Sequence, residues 1–128
     1  MILADTSAWI EFLRATGSED NVRVRRELDD DELVTTDPVV MELLAGEGTE
    51  ERRDRLRRLL AGCPHVAVAP ADWEQAAELY RACRAAGQTV RKMTDCLIAA
   101  VAIRERLAVV HHDRDFDVLA RHTPLEVA

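Results

Sequence analysis

The chain has almost no lysine, few aromatic rings and no long apolar run, and each shortage removes a class of function. Lys92 is the only lysine, so every other cationic side chain at neutral pH is an arginine. Aromatic residues make up 4% of the sequence, in two tryptophans, one tyrosine and two phenylalanines. So few rings give few platforms for bases, which argues against recognition of nucleic acid by stacking. No apolar stretch reaches the length needed to cross a bilayer. Residues 1–4 are apolar but meet Asp5 at once, with no charged region followed by an apolar one, so no export signal is expected and the cytoplasm is the expected compartment. Cys63, Cys83 and Cys96 are odd in number and form no C-x-x-C pair. Neither a zinc knuckle nor a disulfide framework follows from them, and buried reduced thiols are expected.

Positive charge is also in short supply. The net charge of −7 leaves no broad basic surface for purely electrostatic binding to nucleic acid. It does not exclude a nuclease, because catalytic carboxylates swell the negative count and bound cations offset them locally. At 128 residues and 48% apolar content the chain is expected to be one domain, 1–128, with a single core and no disorder. Internal repeats, low-complexity tracts and linkers are absent.

What the chain does have is acid in apolar surroundings. Asp5 ends the run Ile2-Leu3-Ala4, and Glu42 lies inside Val39-Val40-Met41-Glu42-Leu43-Leu44-Ala45. Asp95 opens Cys96-Leu97-Ile98-Ala99-Ala100-Val101, and Asp113 follows Val109-Val110 and two histidines. An ionised carboxylate in such a place costs several kcal/mol unless it is paired or bound to metal. No lysine or arginine lies within three residues of Asp5 or Glu42, so neither has a local ion-pair partner.

Short β-like runs alternate with helical stretches. Strands are expected at 2–5, 32–36, 65–69, 107–110 and 125–127. Helices are expected at 7–13, 22–28, 38–46, 49–61, 72–86, 94–106 and 116–122, with a loop at 15–21. Asp37-Pro38 reads as an N-cap with proline in the first turn, and Thr94 as the cap of its helix. Gly46, Gly62 and Gly87 read as helix stops. The helix after Thr94 is apolar nearly all round and should be central. Strands alternating with helices predict a parallel sheet covered on both faces.

In open α/β sheets ligands bind outside the carboxyl ends of the strands. Asp5 and Asp113 both stand at such ends, and share one rim if their strands are neighbours. Four carboxylates in one place cannot all ionise without a counter-charge. Oxygen ligands with no thiol or imidazole at metal-ligand spacing favour Mg2+ or Mn2+ over zinc, and such a site suits phosphodiester hydrolysis. Each acid also has a plain structural role open to it. Asp5 can cap the next helix, Asp95 can favour a helix dipole, and Asp113 with Asp115 can form a turn. Glu42 has no capping role at its position.

Four segments carrying these acids resemble, in order, the motifs of the PIN-domain ribonucleases, most closely the VapC toxins of bacterial toxin–antitoxin modules. They are Asp5-Thr6-Ser7-Ala8-Trp9-Ile10, Pro38 through Gly46 with Glu42 as the acid, Thr94-Asp95-Cys96-Leu97-Ile98-Ala99-Ala100, and His112-Asp113-Arg114-Asp115-Phe116. The resemblance spans essentially the whole chain. It implies a three-layer α/β/α sandwich around a parallel sheet and a Mg2+- or Mn2+-dependent endoribonuclease leaving 5′-phosphate and 3′-hydroxyl ends. Asp5, Glu42, Asp95 and Asp113 map onto its metal-binding catalytic acids, with Thr6 or Ser7 adding a hydroxyl near the metal. Asp115 matches a more variable acid and ranks as an accessory ligand or turn residue. His111 departs from the pattern, standing where many members carry threonine or serine. The resemblance also implies an antitoxin that blocks the site and a second copy of the toxin. The apolar stripes beside arginines at 22–28 and 49–61 are candidate antitoxin seats, or ordinary amphipathic faces packed on the core.

Arg91 and Lys92, just before Asp95, are candidate RNA phosphate contacts or members of a solvated loop. His111 and His112 should point to opposite faces, so both cannot enter one site, and turn or ligand-orienting roles are expected. Trp9 and Trp73 lie in helical stripes and are expected as core or interface anchors. Two other functions compete with the nuclease. One is a phosphatase or phospho-acceptor with an aspartate nucleophile, which would need either D-x-D after the first strand or a lysine after a late one. The other is a partner-binding module of the same fold that has lost its chemistry.

Overall fold

The computed structural model describes residues 1–14, 17 and 19–128, with Asp20 described in its backbone alone. Strands β1 (Ile2–Ala4), β2 (Leu33–Thr36), β3 (His65–Val66) and β4 (Ala108–Val110) form a sheet in the order β3-β2-β1-β4. Every pairing is parallel, with Leu3 opposite Val34 on one side and Val109 on the other. Helices α1 (Thr6–Leu13), α2 (Glu19–Asp29), α3 (Asp37–Gly46), α4 (Glu50–Ala61), α5 (Pro70–Ala85), α6 (Met93–Glu105) and α7 (Arg114–His122) flank it. The expected three-layer α/β/α sandwich is what forms. No helix among the described residues is long and apolar enough to cross a membrane.

The core follows from the patterning. All three residues of β1 are buried, as befits an interior parallel strand covered on both faces. α6 is buried without a break from Asp95 to Ala102, which makes it the central helix its composition predicts. Trp9, Phe116, Leu119 and Ile98 are fully buried. Cys63, Cys83 and Cys96 are buried and unbridged, as expected, and burial pushes the Cys96 thiol up to about 12.

Strand order decides where a ligand can sit. The chain leaves β1 for β2 and β3 on one side, then returns to place β4 on the other. The crevice at the carboxyl ends of β1 and β4 is therefore the topological switch point of the sheet. Asp5 and Asp113 stand just beyond those two ends.

The structure corrects several local expectations. The strand expected at 65–69 stops at Val66, because the Asp37 carboxylate accepts the Val68 N–H at 2.9 Å and the His65 Nε2 contact at 2.7 Å. That side chain is thus engaged across the chain and does not cap α3, whose N-cap is Thr36, with no side-chain cap bond. α6 begins one residue before the expected cap Thr94, with Lys92 in the capping position. α5 begins at Pro70, where Asp72 accepts the Ala69 N–H at 2.7 Å and, with its burial outweighed, is held acidic by Arg104. The strand expected at 125–127 is reduced to one parallel bridge between Val127 and Val109. Trp73 is 64% exposed and anchors nothing in the core. Of the loop expected at 15–21, residues 19–21 belong to α2, while Ala15, Thr16 and Ser18 lie outside the described residues.

Candidate active site

Five acidic side chains come to the rim of the switch point from four segments of the chain. Asp5 follows β1, Glu42 lies in the second turn of α3, Asp95 lies in the first turn of α6, and Asp113 and Asp115 span the start of α7. One carboxylate oxygen from each of Asp95, Asp113 and Asp115 lies within 4.8 Å of the others. Asp115, expected as an accessory, is therefore in the tightest group and is buried. Asp5 and Glu42 stand outside that trio, yet their charges reach Asp95 strongly enough to help raise its carboxyl.

Asp95 is the electrostatic centre. Burial first, then the negative charges of Asp113 and Asp5, push its carboxyl up to about 7. Its Oδ2 is buried and has no hydrogen-bond partner among the described residues. A buried carboxylate oxygen without a donor is costly, and a cation supplies the missing partner. Oxygen ligands of this kind, with no thiol or imidazole in the trio, suit a hard divalent ion such as Mg2+ or Mn2+. The residues present fit that group.

The other acids are fixed by their neighbours. Asp5 Oδ1 accepts the Ala8 N–H at 2.9 Å and so caps α1, while the Ser7 hydroxyl donates to the same carboxylate at 2.8 Å. Burial still outweighs these bonds and raises the Asp5 carboxyl. Ser7 Oγ also accepts the His112 N–H at 2.8 Å. One hydroxyl thus ties the end of β1 to the loop after β4, a bridge across 105 residues of sequence that no local signal announces. Thr6 Oγ1 donates to Glu42 Oε1 at 2.8 Å, joining α1 to α3. Both hydroxyls thus hold carboxylates in place.

His111 and His112 lie just past the end of β4 and diverge, as expected. His111 stacks on Phe116 at 5.4 Å, meets Asp117 at 3.3 Å and accepts the Asp113 N–H on Nδ1 at 3.1 Å. His112 turns out toward Glu11 at 3.7 Å. Arg91 is exposed in the loop before α6, yet it is tied to two of the acids. Its Nε donates to Asp115 Oδ2 at 2.9 Å and its Nη2 to Asp113 Oδ1 at 3.1 Å. Lys92 lowers the Asp95 carboxyl from the opposite direction to the acids. As a phospho-acceptor, Asp5 would first have to shed Ser7 or Ala8, which hold its two carboxylate oxygens.

The PIN domain family model matches residues 2–122. This chain belongs to the PIN-domain family. Within it, Ribonuclease VapC11 of Mycobacterium tuberculosis is 49% identical over 131 residues, covering 100% of this chain and 98% of the relative. Full-length identity at that level puts this PIN-domain chain among the VapC ribonucleases. The solved VapBC2 complex of Rickettsia felis, bound to a DNA fragment from its promoter, superposes with a TM-score of 0.79 at 18% identity, over 100% of this chain and 98% of that one. At that identity the likeness concerns the fold alone. VapBC-5 of M. tuberculosis, a member of the VapBC family of toxin–antitoxin systems, has a TM-score of 0.66 at 25% identity, covering 98% and 95% of the two chains.

Ser7→Ala tests the hydroxyl bridge. It leaves the His112 N–H and the Asp5 carboxylate each short of a partner, and is expected to cost about 1–2 kcal/mol in urea unfolding. An unchanged unfolding midpoint would show that the bridge carries no stability.

Proposed function

We propose that this chain is a Mg2+- or Mn2+-dependent endoribonuclease that hydrolyses RNA phosphodiester bonds in the cytoplasm and acts as the toxin of a toxin–antitoxin pair. One observation carries the reading. In a chain with 49% full-length identity to a VapC ribonuclease, acids from distant segments gather at the switch-point rim, and one of the buried ones, Asp95, has an unpartnered oxygen. Asp95, Asp113 and Asp115 would hold the cation, with Asp5 and Glu42 completing the acidic wall. The cation, when bound, would supply Lewis-acid polarisation of a phosphate oxygen and charge neutralisation as the leaving oxygen develops.

The chain's own residues do the rest. Ser7 and Thr6 fix Asp5 and Glu42 so that the carboxylates do not reorient as charge builds up. His111 holds the Asp113 backbone from one side and rests on Phe116 from the other. Lys92, beside Asp95, offers positive charge to an arriving phosphate.

Partners follow the same reading. A groove of about 760 Å³ runs between α1, α3 and α4, with Ile10, Leu13 and Leu59 on its apolar floor and Arg14, Arg52 and Arg55 beside them. Glu42 is among the residues that line it. An antitoxin segment with apolar side chains and acidic flanks fits that lining and would block access to the acids. The stripe at 49–61 contributes to this groove, whereas Val24 of the stripe at 22–28 is packed into the core. A second copy of the chain, giving a homodimer or a larger toxin–antitoxin assembly, is the other expected partner.

The purified chain should cleave RNA in Mg2+ or Mn2+, stop in excess chelator, and resume when the cation is restored. Asp5→Asn should remove cleavage while leaving a folded protein. Undiminished turnover by the wild type in excess chelator would overturn the metal-dependent reading.

A further inference from the structure

Arg91 sits in the connection between α5 and α6, and its bonds are unusual for a side chain left 63% exposed. Its Nε and its backbone N–H both donate to Asp115 Oδ2, at 2.9 and 3.3 Å. Its Nη2 reaches Asp113 Oδ1 at 3.1 Å. The partners are far more enclosed, with the Asp115 side chain 6% exposed and that of Asp113 21% exposed. A guanidinium at the surface thus lies across two of the three carboxylates that converge with Asp95. Its planar fork matches the geometry of such a pair. The remaining acid, Asp95, keeps the buried Oδ2 that Arg91 does not reach.

We propose that Arg91 is a displaceable clamp. It neutralises Asp113 and Asp115 while no cation is bound, competes with the cation for them, and is released toward substrate phosphate when the cation takes its place. This rests on the metal-binding reading above. Arg91 forms ion pairs with both Asp113 and Asp115, so its guanidinium compensates the two at contact distance. A divalent ion brings more charge than the guanidinium and can also satisfy Asp95, which gives the exchange its direction. Because Arg91 is anchored through its backbone N–H as well, the side chain can swing while the segment stays in place. Occupation of the acids by the cation and availability of an arginine for phosphate then become one linked event.

The test is Mn2+ binding, measured by calorimetry and by the loss of free-ion paramagnetic resonance signal, on the full chain without RNA. Wild type, Arg91→Gln, Arg91→Lys and Asp95→Asn are compared, with circular dichroism as the control for folding. Arg91→Gln is expected to bind Mn2+ roughly tenfold more tightly than wild type, from removal of one competing unit charge at contact distance. Arg91→Lys, which keeps the charge and loses the fork, should fall between them, and stands in if the glutamine variant fails to fold. Asp95→Asn should lose binding. Equal or weaker binding by Arg91→Gln, beside wild type that binds and Asp95→Asn that does not, would overturn the clamp and leave the metal site standing. Absence of Mn2+ binding in wild type and Arg91→Gln alike would overturn both.

Discussion

Asp95→Asn is expected to lower RNA cleavage by roughly three orders of magnitude while the chain stays folded. The asparagine keeps the shape of the side chain but gives up the anionic oxygen that a hard cation needs. The same change should alter how stability depends on pH. In the cation-free protein the Asp95 carboxyl titrates at about 7, against an ordinary value of 3.8. Between those values the folded chain keeps a proton that the unfolded chain has lost. Stability is therefore greatest at the acid end of this window, falls as pH rises through it, and levels off above about 7. Asp5, raised by burial, pulls in the same direction. Asp37 and Asp72 are held below 3.8, so their contribution is lost only at lower pH and does not overlap. In chelator, the melting temperature of the wild type should drop between pH 5 and 8 and that of Asp95→Asn should drop less. Adding Mn2+ at pH 8 should restore the wild type and leave the variant unmoved. A wild-type melting temperature that holds level across this range in chelator would contradict the assigned strain.

Phe116→Ala should be the most damaging packing change near the site. The ring is fully buried, sits between Asp115 and Asp117 in α7, and stacks on His111. Emptying that volume is expected to cost about 3–5 kcal/mol. Cleavage should fall even at temperatures where the variant is folded. The reason is that His111 orients the Asp113 backbone and Asp115 occupies the preceding position on the helix. Phe116→Leu should cost much less and keep most activity. An alanine variant with the wild-type denaturant midpoint would refute this account of the packing.

Much of this arrangement is legible in the sequence, and what is hidden has a physical reason. An acid at the end of an apolar run marked Asp5, and an apolar helix opened by an acid marked Asp95; both are local signals of a carboxylate under enforced burial. Asp115 gives a weaker one, because Asp113 and Asp115 together also read as a turn before the last helix. Its importance is set by Arg91, 24 residues away. Trp73 is no core anchor, which leaves the interface role of its two expected ones. The face of α5 that enters the core runs through Asp72, Ala76, Leu79 and Cys83, which leaves position 73 outside. The short β3 is equally hidden, since the run at 65–69 is unbroken apolar sequence after His65 and the distant Asp37 carboxylate claims the Val68 N–H. Sequence periodicity reports which face is buried; it does not report which remote side chain claims a backbone N–H.

The pairing of β1 with β4 also sets a timetable. β1 is completed by β4, which is synthesised much later, and the Asp5 N–H donates to the Val110 carbonyl at 3.1 Å. While the chain is still emerging from a ribosome, Asp5 and Glu42 are already made but have neither Asp95 nor the α7 acids to stand beside. No partial product that stops short of α7 holds the assembled acids, so they come together only once α7 has been translated.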